Sequence, residues 1–205
     1  MKTSARGLAA FVAAVLCAAC AHRGPPQPEL RRPPPIPPQP GQVLPSLGRA
    51  THVYTLTNLH PDEERQVLYT ANFQQPGLIP ICSEVTLLRR GEDWLTFQVN
   101  ATGKRYEYDS HEASAEPFIQ NVERYFGPAC PTAKLDALTQ GEREAVRLGV
   151  VIAGMRKEAV VLAIGYPPRR DTPTLDRPMW TYWRSREHSF FVEFDASGVV
   201  LKTYN

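Results

Sequence analysis

No catalytic motif is present in the 205 residues of this sequence. The G-x-S-x-G nucleophile elbow and the phosphate-binding P-loop are both missing. The five histidines are scattered, and none has the H-x-x-x-H or H-E-x-x-H spacing of a metal site; they are His22, His52, His60, His111 and His188. We therefore predict no catalytic residue, no metal, no cofactor and no enzymatic activity.

An excess of charge of one sign is also missing. The chain has 23 basic and 21 acidic residues, and the numbers are equal without residues 1–19, because that segment contributes only Lys2 and Arg6. A nucleic-acid binder would show a basic stripe, and an electrostatic membrane anchor would need a cluster of Lys and Arg. The balance argues against both classes, so we expect no nucleic-acid partner.

Long hydrophobic runs are absent as well. The apolar stretch Leu8–Ala19 is shorter than the roughly 20 residues that a membrane-spanning helix needs. Lys2 and Arg6 precede it and small residues end it, which is the pattern of a secretory signal. We predict a signal peptide over residues 1–19.

Cysteine is scarce, and two of the four cysteines, Cys17 and Cys20, end the apolar stretch. Cys20 directly follows Ala18-Ala19, which resembles the bacterial lipobox and predicts lipid attachment at Cys20. Cys17 occupies the usual lipobox leucine position and is a poor acceptor itself, because the bulky Leu16 precedes it. Cleavage without lipid and a C-x-x-C redox or metal pair are the alternatives. A redox pair would need a strand-turn-helix context instead of the prolines that follow.

Proline is abundant after Cys20, since ten of the 20 prolines lie between Pro25 and Pro45. Such a run is incompatible with helix interiors and central strands and favours an extended polyproline II spacer. We predict a lipidated, proline-rich tether over residues 20–49. Its Arg32–Pro38 segment also fits the R-x-x-P-x-x-P pattern of SH3 ligands. In an exported protein we interpret this segment as part of the tether and not as an SH3 ligand.

Cys82 and Cys130 are the remaining thiols, an even number in an oxidising compartment. Their simplest interpretation is one disulfide across 48 positions, which the chain-entropy model credits with up to about 4 kcal/mol. Two unrelated buried thiols are the alternative. A Cys82 nucleophile paired with His111 is disfavoured, because an exported thiol with a partner cysteine is usually oxidised.

Residues 50–133 alternate short apolar segments with polar turns. This spacing predicts a small antiparallel barrel or sandwich, followed by one helix over 115–127. The arrangement resembles an SH3-like barrel with a helix at its C-terminal end. The predicted strands are 51–57, 66–73, 82–90, 93–99 and 104–109.

Residues 134–205 predict a unit of two helices and a three-stranded antiparallel sheet, so the chain as a whole is expected to be α+β. The first helix, 138–154, opens with Thr139 and Glu142 at capping-box spacing. The second helix, 157–168, is ended by Gly165. The predicted strands are 179–184, 189–194 and 199–204.

About the last 55 residues contain a series of motifs that resembles a known family. In chain order they are Gly154-Met155, Val160, Ile164-Gly165-Tyr166-Pro167, Trp180 and Tyr182, Phe194-Asp195 and Gly198-Val199-Val200. They are similar to the BamE or SmpA/OmlA-like domain, a small outer-membrane lipoprotein of the β-barrel assembly machinery. Arg156 departs from the family pattern, which has a threonine there that would cap the second helix. The resemblance implies the ααβββ fold, and outer-membrane assembly or integrity as the process.

The aromatic residues of the last three strands divide between two faces, because successive side chains in a strand point to opposite sides. Trp183 and Phe191 are predicted to lie on the uncovered face, where exposed aromatic residues indicate a partner surface. The alternative is that the preceding barrel packs there and makes them an interdomain core. We assign five residues to the helix-covered face: Trp180, Tyr182, Phe190, Val192 and Phe194.

The leading hypothesis for function is a non-enzymatic lipoprotein scaffold, anchored in the outer membrane through Cys20 and facing the periplasm. Ala21 follows Cys20 in place of the aspartate that commonly signals inner-membrane retention in enteric bacteria. The expected partner is an envelope protein, and the resemblance implies the β-barrel assembly machinery. The second hypothesis is a periplasmic module whose SH3-like barrel binds cell-wall glycan or peptide, which makes peptidoglycan the alternative partner.

Overall fold

Two modules of different architecture make up the part of the chain that the computed structural model describes, residues 52–205. The first module, residues 52–131, is built on a curled six-stranded sheet. The second, residues 132–205, carries three α-helices and a separate three-stranded antiparallel sheet. The mixed α+β class is therefore confirmed. The predicted signal peptide, Cys20 and the proline-rich tether lie outside the described residues.

The sheet of the first module has the strand order β2-β5-β4-β3-β1-β6. A short 3-10 helix, Glu112–Ser114, and α1 lie between β5 and β6. The elements are β1 (His52–Thr55), β2 (Val67–Tyr69), β3 (Glu84–Arg90), β4 (Trp94–Val99), β5 (Arg105–Asp109), α1 (Phe118–Tyr125) and β6 (Phe126–Gly127).

One strand pair departs from the predicted antiparallel pattern. β2 pairs with β5 in parallel, because the 56–66 connection brings the chain to the far edge of the sheet without a hairpin that would force antiparallel pairing. The predicted strand 66–73 is also too long. It ends at Tyr69, since Asn72 turns the chain with a φ of 52° and bonds to the second module.

The core of the first module lies between the sheet and α1. Leu95, Phe97 and Val99 alternate on the buried face of β4, as the sequence predicts. α1 contributes Val122 and Tyr125 to the same core. The predicted helix is thus present, and it packs on the sheet that precedes it.

Cys82 and Cys130 lie at disulfide distance, with their Cα atoms 4.8 Å apart. Cys82 stands just before β3, where its N–H donates to the Thr55 carbonyl at 2.9 Å. Cys130 follows β6. The pair therefore ties the segment after α1 to the start of β3.

The second module has three helices followed by three strands. The first, α2 (Thr132–Asp136), is a short helix that the sequence analysis did not predict. The antiparallel order β7-β8-β9 confirms the predicted meander. The other elements are α3 (Gln140–Leu148), α4 (Lys157–Ile164), β7 (Met179–Trp183), β8 (Ser189–Phe194) and β9 (Val200–Tyr204).

The ends of the two longer helices follow local signals. The predicted capping box is present: Glu142 N donates to Thr139 Oγ1 at 3.2 Å, and Thr139 N donates to Glu142 Oε2 at 2.9 Å. The predicted end of this helix at residue 154 is wrong. α3 ends at Leu148, because Gly149 adopts the left-handed conformation (φ 67°) that commonly terminates helices. α4 ends at Gly165, as predicted.

After its first two residues, Lys157 and Glu158, α4 is apolar all round, and every residue from Ala159 to Ile164 is buried. Its neighbours include the inner face of the sheet, where Trp180 and Tyr182 are fully buried, so the predicted inner face is confirmed. A helix without a polar face needs cover on every side. The first module supplies part of that cover.

The first module covers the C-terminal end of α4. A helix leaves its last carbonyl groups without intrahelical donors, and four side chains of the first module contact them here. We call these four the α4 cradle: Asn58, His60, Asn72 and Gln74.

Asn58 is the most buried member of the cradle, with 1% of its surface exposed. Its Nδ2 donates to Val146 O at 2.6 Å and to Ala163 O at 3.0 Å, while its Oδ1 accepts from Ile81 N at 2.7 Å. Its main-chain N–H donates to Leu162 O at 2.9 Å. One residue thus joins α3, α4 and the first module.

Asn72 and Gln74 reach the last turn of α4. Asn72 Nδ2 donates to Ile164 O and to Tyr166 O, each at 2.8 Å, and Gln74 Nε2 donates to Ile164 O at 2.9 Å. Gln74 N also donates to Trp183 O at 2.7 Å. The same segment therefore holds both the helix end and the end of β7.

An ion pair between the buried Glu142 and the partly exposed Arg156 connects the starts of α3 and α4. Arg156 provides no side-chain acceptor for the first amides of α4, as predicted for an arginine at this position. Its guanidinium donates instead to both Glu142 carboxylate oxygens, at 2.9 and 2.7 Å. The main-chain N–H of Arg156 also donates to Glu142 Oε1, at 3.0 Å. The Glu142 side chain is 3% exposed and that of Arg156 44%. The hydrogen bonds from the Arg156 side chain are the main reason that the pKa of Glu142 lies at about 2.

Neutralising Glu142 should remove part of the acid sensitivity of the fold. Its folded-state pKa lies below the ordinary value of 4.5, so the carboxylate stabilises the fold above that pH and loses this effect as the pH falls towards about 2. Glu142→Gln should lower the free energy of unfolding by about 1–2 kcal/mol at neutral pH, since the exposure of Arg156 screens the pair. The difference from the wild type should shrink towards zero in acid. Urea unfolding followed by tryptophan fluorescence across this pH range measures it.

Glu144→Gln is the matched control. Glu144 pairs with Arg147 at 2.6 Å on the surface of the same helix, and the Arg147 side chain lowers the pKa of Glu144 as well. Both side chains are more than half exposed, so water screens this pair and Glu144→Gln should change the pH profile much less than Glu142→Gln does. Parallel profiles for Glu142→Gln and the wild type would contradict the role given to Glu142.

Candidate functional site

Aromatic side chains form a row on the outer face of the second sheet. The register places Phe191 of β8 between Thr181 of β7 and Tyr204 of β9. Trp183 follows on the same face of β7, and all four side chains are partly exposed. We call Thr181, Trp183, Phe191 and Tyr204 the aromatic face.

The loop after α4 fixes the β7 side of the aromatic face. Trp183 Nε1 donates to Asp171 Oδ2 at 2.8 Å, and Thr181 N donates to Thr172 Oγ1 at 2.9 Å. Side chains that are already ordered lose less conformational entropy on binding. The hydrogen bond to Asp171 therefore restricts the orientation of the Trp183 indole.

Charged and apolar side chains border Phe191. Lys202 Nζ lies 3.7 Å from Glu193 Oε2 and 4.9 Å from the centre of the Tyr204 ring. Met179 extends the apolar area at the start of β7 and is 48% exposed. An aromatic centre with a polar rim is the usual composition of a protein-binding surface.

The contacts that join the two modules include the α4 cradle, the Arg169–Glu116 ion pair at 2.8 Å, and a hydrogen bond from Tyr166 N to the Tyr125 hydroxyl at 3.1 Å. Next to the aromatic face, Gln74 N donates to the main-chain oxygen of Trp183. The Trp183 indole N–H donates to Asp171 of its own module. The assignment of Trp183 and Phe191 as a partner surface stays a prediction, and the geometry is compatible with it.

A cleft of about 490 Å³ lies between β2 and the loop that joins β7 to β8. On the first module its wall includes Tyr69, Phe73 and His111, whose ring centres are 5.1 to 5.8 Å apart in edge-to-face packing. The second module contributes Ser185 and Arg186. These residues are far apart in the sequence, and no local signal predicts that they meet.

Two histidines line the cleft, and the pKa of each is lowered. Burial is the main cause for His60, whose Nε2 lies 3.2 Å from Ala163 O. Burial is also the first cause for His111, followed by the positive charge of Arg186. Both rings are therefore neutral at neutral pH.

The described residues show no group of three or more His, Cys, Asp or Glu side chains that could hold a metal ion. Cys82, weighed above as a nucleophile with His111, lies at disulfide distance from Cys130, and His111 packs against Tyr69 and Phe73. Over residues 52–205, no helix is long and apolar enough to cross a membrane.

Comparison with known proteins adds no relative: no family model, no curated protein and no solved structure matches the chain. A proposal for the function therefore rests on the sequence motifs and on the geometry of the aromatic face and the cleft.

Proposed function

We propose that this protein is a bacterial envelope lipoprotein that acts as a non-enzymatic scaffold at the outer membrane. Lipid on Cys20 anchors it, the tether over residues 20–49 separates the folded modules from the membrane, and the aromatic face binds an envelope protein. The observation that carries the proposal is the partly exposed pair Trp183 and Phe191 on the outer face of the second sheet.

The placement of the family motifs supports this proposal. Gly154-Met155 precedes α4, and Gly165 ends it. Asp195 begins the turn between β8 and β9, where its Oδ1 accepts from Ser197 N and Val199 N at 2.9 Å each. BamE-like membership, a partner in the β-barrel assembly machinery, and a role in outer-membrane assembly or integrity all belong to this proposal.

Phe191→Ala should weaken binding to the solubilised β-barrel assembly complex by about 30-fold, since truncation of an aromatic hot spot costs about 2 kcal/mol. Phe191→Ala should destabilise the isolated protein less than truncation of a fully buried ring does, because the Phe191 ring is only partly buried. Trp183→Ala should act in the same way. Surface plasmon resonance on the immobilised complex and thermal unfolding measure the two quantities.

Two control variants complete this experiment. Leu88→Ala removes an exposed apolar side chain of the first module and should change neither quantity. Trp180→Ala removes a fully buried ring, 4.6 Å from the Phe194 ring, and should destabilise by about 3–5 kcal/mol. Absence of wild-type binding would contradict the proposed partner, and a large loss of stability in Phe191→Ala would show that the aromatic face is structural.

Cys20→Ser should abolish acyl labelling and leave an unanchored or uncleaved periplasmic form, because one residue carries the whole lipid anchor. Metabolic labelling with radioactive palmitate, compared between Cys20→Ser and Cys17→Ser, measures this. Label that persists in Cys20→Ser and disappears in Cys17→Ser would overturn the assignment.

A second function, binding of cell-wall glycan or peptide, is favoured by the cleft beside β2. The finer assignment of the first module as an SH3-like barrel is part of the same proposal, and the curled sheet with its β3-β4-β5 meander supports it. Sedimentation of the mature protein with purified peptidoglycan tests this function.

A further inference from the structure

The cleft beside β2 has the size and position of a small-molecule site. Its volume of about 490 Å³ falls within the range of about 300–1,000 Å³ that such sites occupy, and it opens where two modules meet, a common place for them. His60 lines the cleft and also belongs to the α4 cradle. The walls are therefore fixed relative to each other by the junction of the modules.

One wall of the cleft is aromatic and ordered. The partly exposed rings of Tyr69, Phe73 and His111 hold each other edge to face. Two further hydrogen bonds hold His111. Its main-chain N–H donates to Thr70 Oγ1 at 2.8 Å, and its ring Nδ1 accepts from Ala113 N at 3.2 Å. A wall ordered in this way can accept the apolar face of a ring at little entropic cost.

The rim of the cleft carries balanced charge. On one side, Arg65 Nε lies 3.7 Å from Asp62 Oδ2. On the opposite side, Arg186 and Glu187 are neighbours in the loop between β7 and β8. With two cations, two anions and neutral histidines, the rim favours neither acidic nor basic ligands strongly. Carboxylate and guanidinium groups are planar, and each can make paired hydrogen bonds.

We propose that this cleft binds an uncharged sugar unit of a glycan chain. The C–H face of a sugar ring fits the aromatic wall, and its neighbouring hydroxyl groups fit the planar groups of the rim. The proposal rests on the second function given above, names its ligand class, and places the site at the junction of the modules. It is independent of the lipid anchor and of the aromatic face.

The mature protein should bind a trimer of N-acetylglucosamine, an uncharged soluble glycan, in a two-dimensional NMR titration. We expect saturation below ~10 mM, with shifts centred on Phe73 and Arg186. The dissociation constant should change by less than about twofold between ~50 and ~500 mM salt, because an uncharged ligand is not screened.

Two variants locate the ligand, and each has a matched control. Phe73→Leu keeps an apolar side chain but removes the ring, and should weaken binding about tenfold. Arg186→Gln removes a guanidinium from the rim and should weaken binding about threefold to tenfold. Phe118→Leu and Arg177→Gln make the same changes away from the cleft and should leave binding unchanged.

Three results would overturn the proposal. The first is that neither this trimer nor a glucose trimer saturates the protein by ~10 mM. The second is that Phe73→Leu and Arg186→Gln leave the affinity unchanged. The third is an affinity that falls steeply with salt, which would indicate a charged ligand such as an acidic peptide. If the sugars fail but the protein still sediments with peptidoglycan, the second function stands and only this assignment falls.

Discussion

The last carbonyl groups of α4 receive their hydrogen bonds from side chains of the other module, and Asn58 is the centre of this contact. A buried carbonyl without a donor costs about 1–3 kcal/mol, so α4 depends on the first module for its C-terminal end. The same side chain is held within the first module, since Asn58 Oδ1 accepts from Ile81 N. Tyr166 packs against both hydrophobic cores. The modules therefore behave as one folding unit in this account.

The position of this junction decides which surfaces remain for function. The first module contacts the end of α4 and, through Gln74, the end of β7. The outer face of the sheet has Phe191 in its centre, and its aromatic side chains are partly exposed. The same junction brings β2 towards the loop between β7 and β8, and so forms the cleft. Both proposed sites thus follow from one packing arrangement.

Local signals make the second module largely predictable from the sequence. The capping box at Thr139, the stop at Gly165 and the alternation around Trp180 each depend on a few neighbouring residues, and the structure shows all three. The end of α3 is not predictable in this way, because Gly149, which adopts the left-handed conformation, lies within an apolar run whose pattern predicts a longer helix. The α4 cradle was missed for a different reason: Asn58 meets partners 88 and 105 positions away, and nothing near it in the chain indicates them. The parallel pairing of β2 and the cleft depend on contacts of the same long-range kind.

Native-state hydrogen exchange tests the mutual dependence of the modules most directly, by comparing amides of α4 with amides of β4 in the first module. We expect both groups to exchange with the same opening free energy. Asn58→Ala should lower this free energy by about 2–4 kcal/mol in both groups, because the variant leaves several buried polar groups without partners. Asn100→Ala is the control, and it removes a half-buried amide whose oxygen accepts from Thr86 Oγ1 at 2.8 Å. It should lower the opening free energy by about 1 kcal/mol or less. Loss of protection in α4 alone, with β4 unaffected by Asn58→Ala, would contradict the claim that the two modules form one unit.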